Sequence, residues 1–66
     1  MKNRLKVQRA EHNFSQAELA EKISVSRQTI NSIETGRYIP STVLALKLAQ
    51  IFGVRVEEVF QLEEED

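Results

Sequence analysis

Sixty-six residues allow one domain, near the size at which a chain still folds without disulfide or metal staples. Cysteine is absent, which excludes disulfides, thiolate metal sites and cysteine nucleophiles. The formal net charge of −1 argues at first against a nucleic-acid partner, but residues 1–55 hold all nine Lys and Arg against Glu11, Glu18, Glu21 and Glu34, a net +5, and residues 56–66 hold six acids and no base. No apolar run has the length of a membrane span and the first residues lack the apolar core of a signal peptide, so a cytoplasmic protein is expected.

Residues 3–12 are good helix formers free of Gly and Pro, with Asn3 as the predicted N-cap and an end near His12. Asn13 is suited to the left-handed conformation past that end. Leu5, Arg9 and His12 share one face with Gln8 beside them, and Val7 lies elsewhere, so the apolar stripe is thin and something else must anchor this first helix.

Phe14-Ser15-Gln16-Ala17-Glu18-Leu19 is a capping box between Ser15 and Glu18, with Phe14 and Leu19 as its hydrophobic staple, and starts a second helix at Gln16. Leu19, Ala20 and Ile23 line its inner side, and Ala20 leaves room for another helix to cross closely. Ser24-Val25 then leads directly to a third helix, with Ser26 as N-cap, Val25 and Ile30 as a staple, and Gly36 just past the end. Two short helices joined this tightly form a helix-turn-helix, spanning about residues 16–35.

At roughly 100° per residue, Arg27, Gln28, Asn31, Ser32 and Thr35 fall within an arc of roughly 140° on the third helix, opposite Ile30 and Ile33. An ordinary solvated face carries mainly Glu and Lys. This one carries the side chains that match base edges in the major groove, Arg to guanine and Gln or Asn to adenine.

Arg37 to Pro40 is a loop, since Pro40 forbids a helical Ile39. Ser41 or Thr42 caps a fourth helix with Leu44, Ala45, Leu48, Ala49 and Phe52 at helical spacing, stopped by Gly53 with Val54 folded back on its last turn. Val56 to Leu62 is expected to form a fifth short helix with Val59 and Phe60 inward. Residues 63–66 are expected to be a frayed acidic tail. No β-alternation is visible, and the predicted domain, residues 1–62, is all-α.

Residues for other chemistry are lacking. His12 has no partner constellation and suits a helix C-terminus; no metal-ligand spacing exists; both glycines are explained by helix ends. No catalysis, metal or cofactor is expected. Glu34 lies at the edge of the apolar face and there needs a cation. Arg9 is the candidate if the first helix crosses the third, although spacing alone favours two separate surface charges. Gln16 stands on the first turn of the second helix, where free amides suit a phosphate; Arg37 and Tyr38 follow the third helix and suit backbone phosphates.

The string Phe14-Ser15-Gln16-Ala17-Glu18-Leu19-Ala20, followed by Val25-Ser26-Arg27-Gln28-Thr29-Ile30 and Ile33-Glu34-Thr35-Gly36-Arg37, resembles the Cro and C1 repressor-type (XRE) helix-turn-helix family from about Arg4 to Phe60. The resemblance implies a compact five-helix, lambda-repressor-like domain whose third helix enters the major groove, commonly as a symmetric dimer on two half-sites. By it, Arg27, Gln28 and Ser32 match positions that meet bases, with Thr29 and Asn31 at the groove walls completing the base-reading set. Gln16 matches a phosphate-binding glutamine, joined in that role by Ser15, Ser26, Thr35, Arg37 and Tyr38. It also implies that Arg9 and Glu34 are a buried ion pair. Three departures stand out: Asn13 and Ser24 occupy positions where the family often has glycine, and Gln8 stands where it commonly has an apolar residue.

The expected function is therefore a sequence-specific regulator, of the repressor type, that binds double-stranded DNA as a homodimer. Val56, Val59, Phe60 and Leu62 are the candidates for a dimer surface, the rival reading being that they close the core, which suits Val59 and Phe60 at least as well. The alternative is a protein-interaction module, such as the antitoxin of a toxin–antitoxin pair, whose acidic tail engages a basic protein partner.

Overall fold

A computed structural model describes residues 1–66. Four helices are framed by a two-stranded antiparallel ribbon: β1 (Lys2–Asn3), α1 (Leu5–Glu11), α2 (Gln16–Lys22), α3 (Arg27–Glu34), α4 (Thr42–Phe52), a 3-10 turn (Val56–Glu58) and β2 (Phe60–Gln61). None of the helices is long and apolar enough to cross a membrane.

Three helices begin at a serine. Ser15 Oγ accepts from the Glu18 N–H at 3.0 Å and the Glu18 carboxylate accepts from the Ser15 N–H at 2.9 Å, the reciprocal capping box. Ser26 Oγ accepts from the Thr29 N–H and Ser41 Oγ from the Leu44 N–H. All four helices end alike. The N–H groups of Phe14, Val25, Arg37 and Val54 reach back to the carbonyls of Arg9, Ala20, Ser32 and Ala49, and the residue before each donor is left-handed: Asn13 (φ 58°), Ser24 (φ 59°), Gly36 (φ 78°) and Gly53 (φ 67°). Asn13 and Ser24 therefore adopt the conformation that the family usually gives to glycine, at a cost that is lower for Asn than for Ser.

The core joins Leu5, Leu19, Ala20, Ile23, Ile30, Ile33, Leu44, Leu48, Phe52, Val59 and Phe60. In α1 the stripe is as thin as its sequence: Leu5 and Gln8 are buried, while Val7 is exposed. Polar contacts supply the missing anchorage. The Arg4 N–H donates to the Val59 carbonyl at 2.7 Å, the Asn3 amide donates to the Ile33 carbonyl at 3.0 Å, and Arg9 reaches Glu34 (below).

Four expectations are corrected. The fifth helix is not formed: Val56–Glu58 make one 3-10 turn, capped by the Glu58 carboxylate on the Arg55 N–H, and Phe60 and Gln61 then pair with Asn3 and Lys2. The segment is too short to repay helix nucleation, its β-branched valines are weak helix formers, and the Val59 carbonyl accepts from the Arg4 N–H instead of from a continuing helix. The fold is thus mostly helical with a small ribbon, not a five-helix all-α domain. Helix α1 starts at Leu5, because Asn3 lies in β1; its side chain still accepts from the Leu5 N–H at 3.2 Å. Val59 is buried, 0% exposed, so it closes the core and is unavailable as a dimer surface; Phe60, 8% exposed, also belongs to the core and shows only an edge to the groove lined by Ile39, Leu46 and Val56. Residues 63–66 are solvated but not frayed: the Asp66 N–H bonds the Glu63 carbonyl, and the Met1 ammonium contacts the Glu63 and Asp66 carboxylates at 3.0 Å each.

Candidate nucleic-acid interface

Helix α3 buries Ile30 and Ile33 against α2, where Ala20 is itself buried, and this fixes which face of α3 remains outside. Arg27, Gln28 and Asn31 are exposed on that face, and Ser32 is half-buried beside them. Thr29, also expected among the base readers, is half-buried and turned to the helix start, its hydroxyl 2.9 Å from that of Ser26. The structure thus brings Arg27, Gln28, Asn31 and Ser32 together and sets Thr29 apart at the cap.

The residues expected at phosphates surround this face. Ser15 and Ser26 stand at the two helix starts. Thr35 is exposed at the end of α3, its hydroxyl donating to the Asn31 carbonyl at 2.9 Å, so its only hydrogen is used within the helix. Arg37 and Tyr38 are exposed in the following loop, whose path is fixed by bonds from both their N–H groups to the Ser32 carbonyl.

Glu34 is the hub behind the face. Its Oε2 accepts from Arg9 Nε at 2.7 Å and its Oε1 from Arg9 Nη2 at 3.3 Å, with side chains only 16% and 5% exposed for Arg9 and Glu34. Arg9 Nη1 also donates to the Phe14 carbonyl at 2.9 Å, so one guanidinium joins α1, the α1–α2 turn and α3. The hydrogen bonds that Arg9 donates to Glu34 raise the Arg9 pKa above its ordinary value. Such a pair is retained where partial burial is compensated by fork geometry and further hydrogen bonds.

Gln16 has a second task that its position on the first turn of α2 did not reveal. Its Nε2 donates to Glu34 Oε1 at 3.1 Å and to Asn31 Oδ1 at 3.2 Å. Both amide hydrogens are directed into the protein, so a side-chain bond to a phosphate requires one of them to be released. The signal available in sequence was only that Gln16, Asn31 and Glu34 all lie in the two helices expected to cross.

His12 lies away from this face. It ends α1, its Nδ1 is 2.9 Å from the Gln8 carbonyl, and its ring sits 5.8 Å from that of Phe14 and 5.1 Å from that of Phe52. Lys22 covers the other side of Phe14, 4.9 Å from the ring centroid, so these groups form a structural cluster. No three His, Asp or Glu side chains are grouped to hold a metal ion.

The model of the helix-turn-helix family, of the Cro/C1 type, matches residues 5–59. The chain belongs to the Cro/C1-type helix-turn-helix family. Among similar members, an uncharacterized HTH-type transcriptional regulator of Methanocaldococcus jannaschii is 53% identical over 66 residues, all of both chains. One of Bacillus subtilis is 48% identical over the same full lengths. Two solved structures share the helix-turn-helix fold. The SOS-response transcriptional repressor LexA of Eubacterium rectale superposes with a TM-score of 0.80 at 27% identity, over 94% of this chain and 66% of that one. A hypothetical transcription factor from Neisseria superposes with a TM-score of 0.76 at 24% identity, over 82% and 61%. This chain thus spans about three fifths to two thirds of those two chains.

Proposed function

We propose that the chain is a sequence-specific, double-stranded DNA-binding transcriptional regulator that works in the cytoplasm and seats α3 in the major groove. One observation carries this: the capped α2–α3 unit buries Ile30 and Ile33 and leaves Arg27, Gln28 and Asn31 exposed on one face, at the width of an element that the groove admits. The relatives named as HTH-type transcriptional regulators support it. Arg27, Gln28 and Ser32 read bases, with Asn31 beside them; Thr35, Arg37 and Tyr38 lie along the backbone at and beyond the end of α3, and Ser15, Gln16 and Ser26 line the phosphate path at the helix starts. Repression is the mode we favour, because occupation of the groove is enough to exclude other proteins from the same site.

A second copy completes the binding unit in this proposal. Val56 and Leu62 remain from the expected dimer surface, Leu62 at 81% exposure, and Ile39 and Leu46 are exposed as well. Ile39, Pro40, Leu46 and Val56 line one apolar groove. Apolar surface of this kind is what an isologous two-fold contact uses.

Selection of bound duplexes from a random-sequence library tests the function. The expected result is an enriched short motif repeated about a two-fold axis, with half-site centres about 10 base pairs, or a multiple, apart. A pool with no enriched sequence would overturn the proposal.

A further inference from the structure

Gln8 is a buried side chain that the packing of α1 does not explain. It is only 9% exposed, and its backbone groups are used within α1, the N–H on the Arg4 carbonyl and the carbonyl by His12. Its amide, however, forms no hydrogen bond within the protein, which is uncommon for a polar group so nearly buried. The amide opens instead onto a cleft of about 360 Å3. The cleft is also lined by Arg4 just before α1, by Glu57 and Glu58 of the 3-10 turn and by Gln61 of β2, and none of these is apolar. One guanidinium and two carboxylates thus border a single space without neutralising each other, since the ion pairs of the fold involve Met1 and Arg9. Part of the lining is fixed from behind: Glu58 Oε2 accepts from the Arg55 N–H and Gln61 Nε2 donates to the Glu57 carbonyl, both at 2.7 Å.

We propose that this cleft binds a free basic amino acid of the lysine or arginine kind. Such a molecule carries one carboxylate and two cationic groups, the mirror of the lining: the carboxylate lies on Arg4, the α-ammonium and the side-chain cation lie on Glu57 and Glu58, and the Gln8 amide bonds the ligand from the floor. Other small ligands fit the charges less well. An inorganic anion meets two carboxylates, a polyamine meets Arg4, an apolar molecule finds no apolar wall, and no three His, Asp or Glu side chains are grouped for a metal ion. The volume lies near the lower end of small-molecule sites, about 300–1,000 Å3. The bound amino acid bridges the start of α1 and the segment from the 3-10 turn to β2, which are also joined by the ribbon and by the bond from Arg4 to Val59. The site does not depend on whether α3 faces bases.

Heteronuclear NMR of the native chain titrated with L-lysine and with L-arginine tests the site, because the side-chain NH2 signals of Gln8 and Gln61 report on it directly. Both signals should shift saturably, and the melting temperature should rise with ligand concentration. Norleucine, which lacks the side-chain cation, and cadaverine, which lacks the carboxylate, should each bind about tenfold more weakly, the scale of one lost hydrogen-bonded charge. Gln8→Leu keeps an apolar fit in the core and should weaken binding about tenfold, as should Glu57→Gln, an exposed position where folding is not at stake. No saturable shift with either amino acid at millimolar concentration, equal binding of norleucine or cadaverine, or undiminished binding in Glu57→Gln or in a folded Gln8→Leu would each overturn the inference. None of these outcomes bears on the selection of duplexes, so failure of this site and failure of the DNA-binding proposal are distinct.

Discussion

Glu34 receives both Arg9 Nε, at 2.7 Å, and Arg9 Nη2, at 3.3 Å, across the contact between α1 and α3. With α1 burying little apolar surface, this fork is a main fixing point of that helix. Removing one partner leaves the other largely out of water without a counter-charge, so Glu34→Ala should destabilise the fold by about 3 kcal/mol, measured by urea unfolding. An unchanged midpoint would mean that packing alone holds α1.

Gln28 is exposed on the face of α3 opposite its isoleucines. Gln28→Ala should weaken the selected site by about 1–3 kcal/mol and leave random duplexes almost unaffected, whereas Arg37→Ala should weaken both and lower the salt dependence by about one phosphate contact. Titrations on both duplexes at several salt concentrations separate the two. Equal loss on both duplexes for Gln28→Ala would remove it from base reading.

Ser24 at φ 59° and Asn13 at φ 58° are left-handed without being glycine. Ser24→Gly should raise the melting temperature by roughly 4–8 °C, the equivalent of about 1 kcal/mol in a domain this small. Asn13→Gly should change it less, because Asn tolerates this region better. Calorimetry decides, and a lower melting temperature for Ser24→Gly would show that its hydroxyl contributes more than its backbone strain costs.

The hydrogen bond from the Ser15 N–H, followed by that from its hydroxyl, holds the Glu18 carboxyl below its ordinary pKa. A depressed folded-state value means that this contribution is present above the ordinary carboxylate range and is lost as pH falls through the folded value. Glu18→Gln should therefore lower stability at neutral pH and flatten the acid limb of the stability curve. A parallel displacement of the whole curve would contradict this linkage.

Leu46 and Leu62 are exposed, 54% and 81%. If a second copy covers both residues, Leu46→Glu and Leu62→Glu should shift sedimentation toward the monomer while the helical circular dichroism stays constant. A monomeric native chain at micromolar concentration would refute the arrangement.

Much of α2, α3 and α4 was legible because caps, staples and stops are local: Ser15 with Glu18, Ser26 with Gly36, and Ser41 with Gly53 each need only a few residues of context. The ribbon was not, because two residues paired across almost the whole chain leave no periodicity. The same limit explains the dimer surface, since whether Val59 faces the core depends on a bond from Arg4. At the interface, the residue types on α3 could be read from their spacing. The Gln16 bridge could not, because it depends on how two helices cross.

The ribbon of Lys2–Asn3 with Phe60–Gln61 bears on the timing of folding. During synthesis the helix-turn-helix emerges early, but the place of Val59 in the core stays empty, and the Arg4 N–H unpaired, until residues 59–61 leave the ribosome. The helices can form one by one as they emerge; closure of the core cannot, because it joins residues 2–4 to residues 59–61. The regulator should thus acquire its full stability in one late step, with a partly open helical intermediate exposed to proteases until that step is complete.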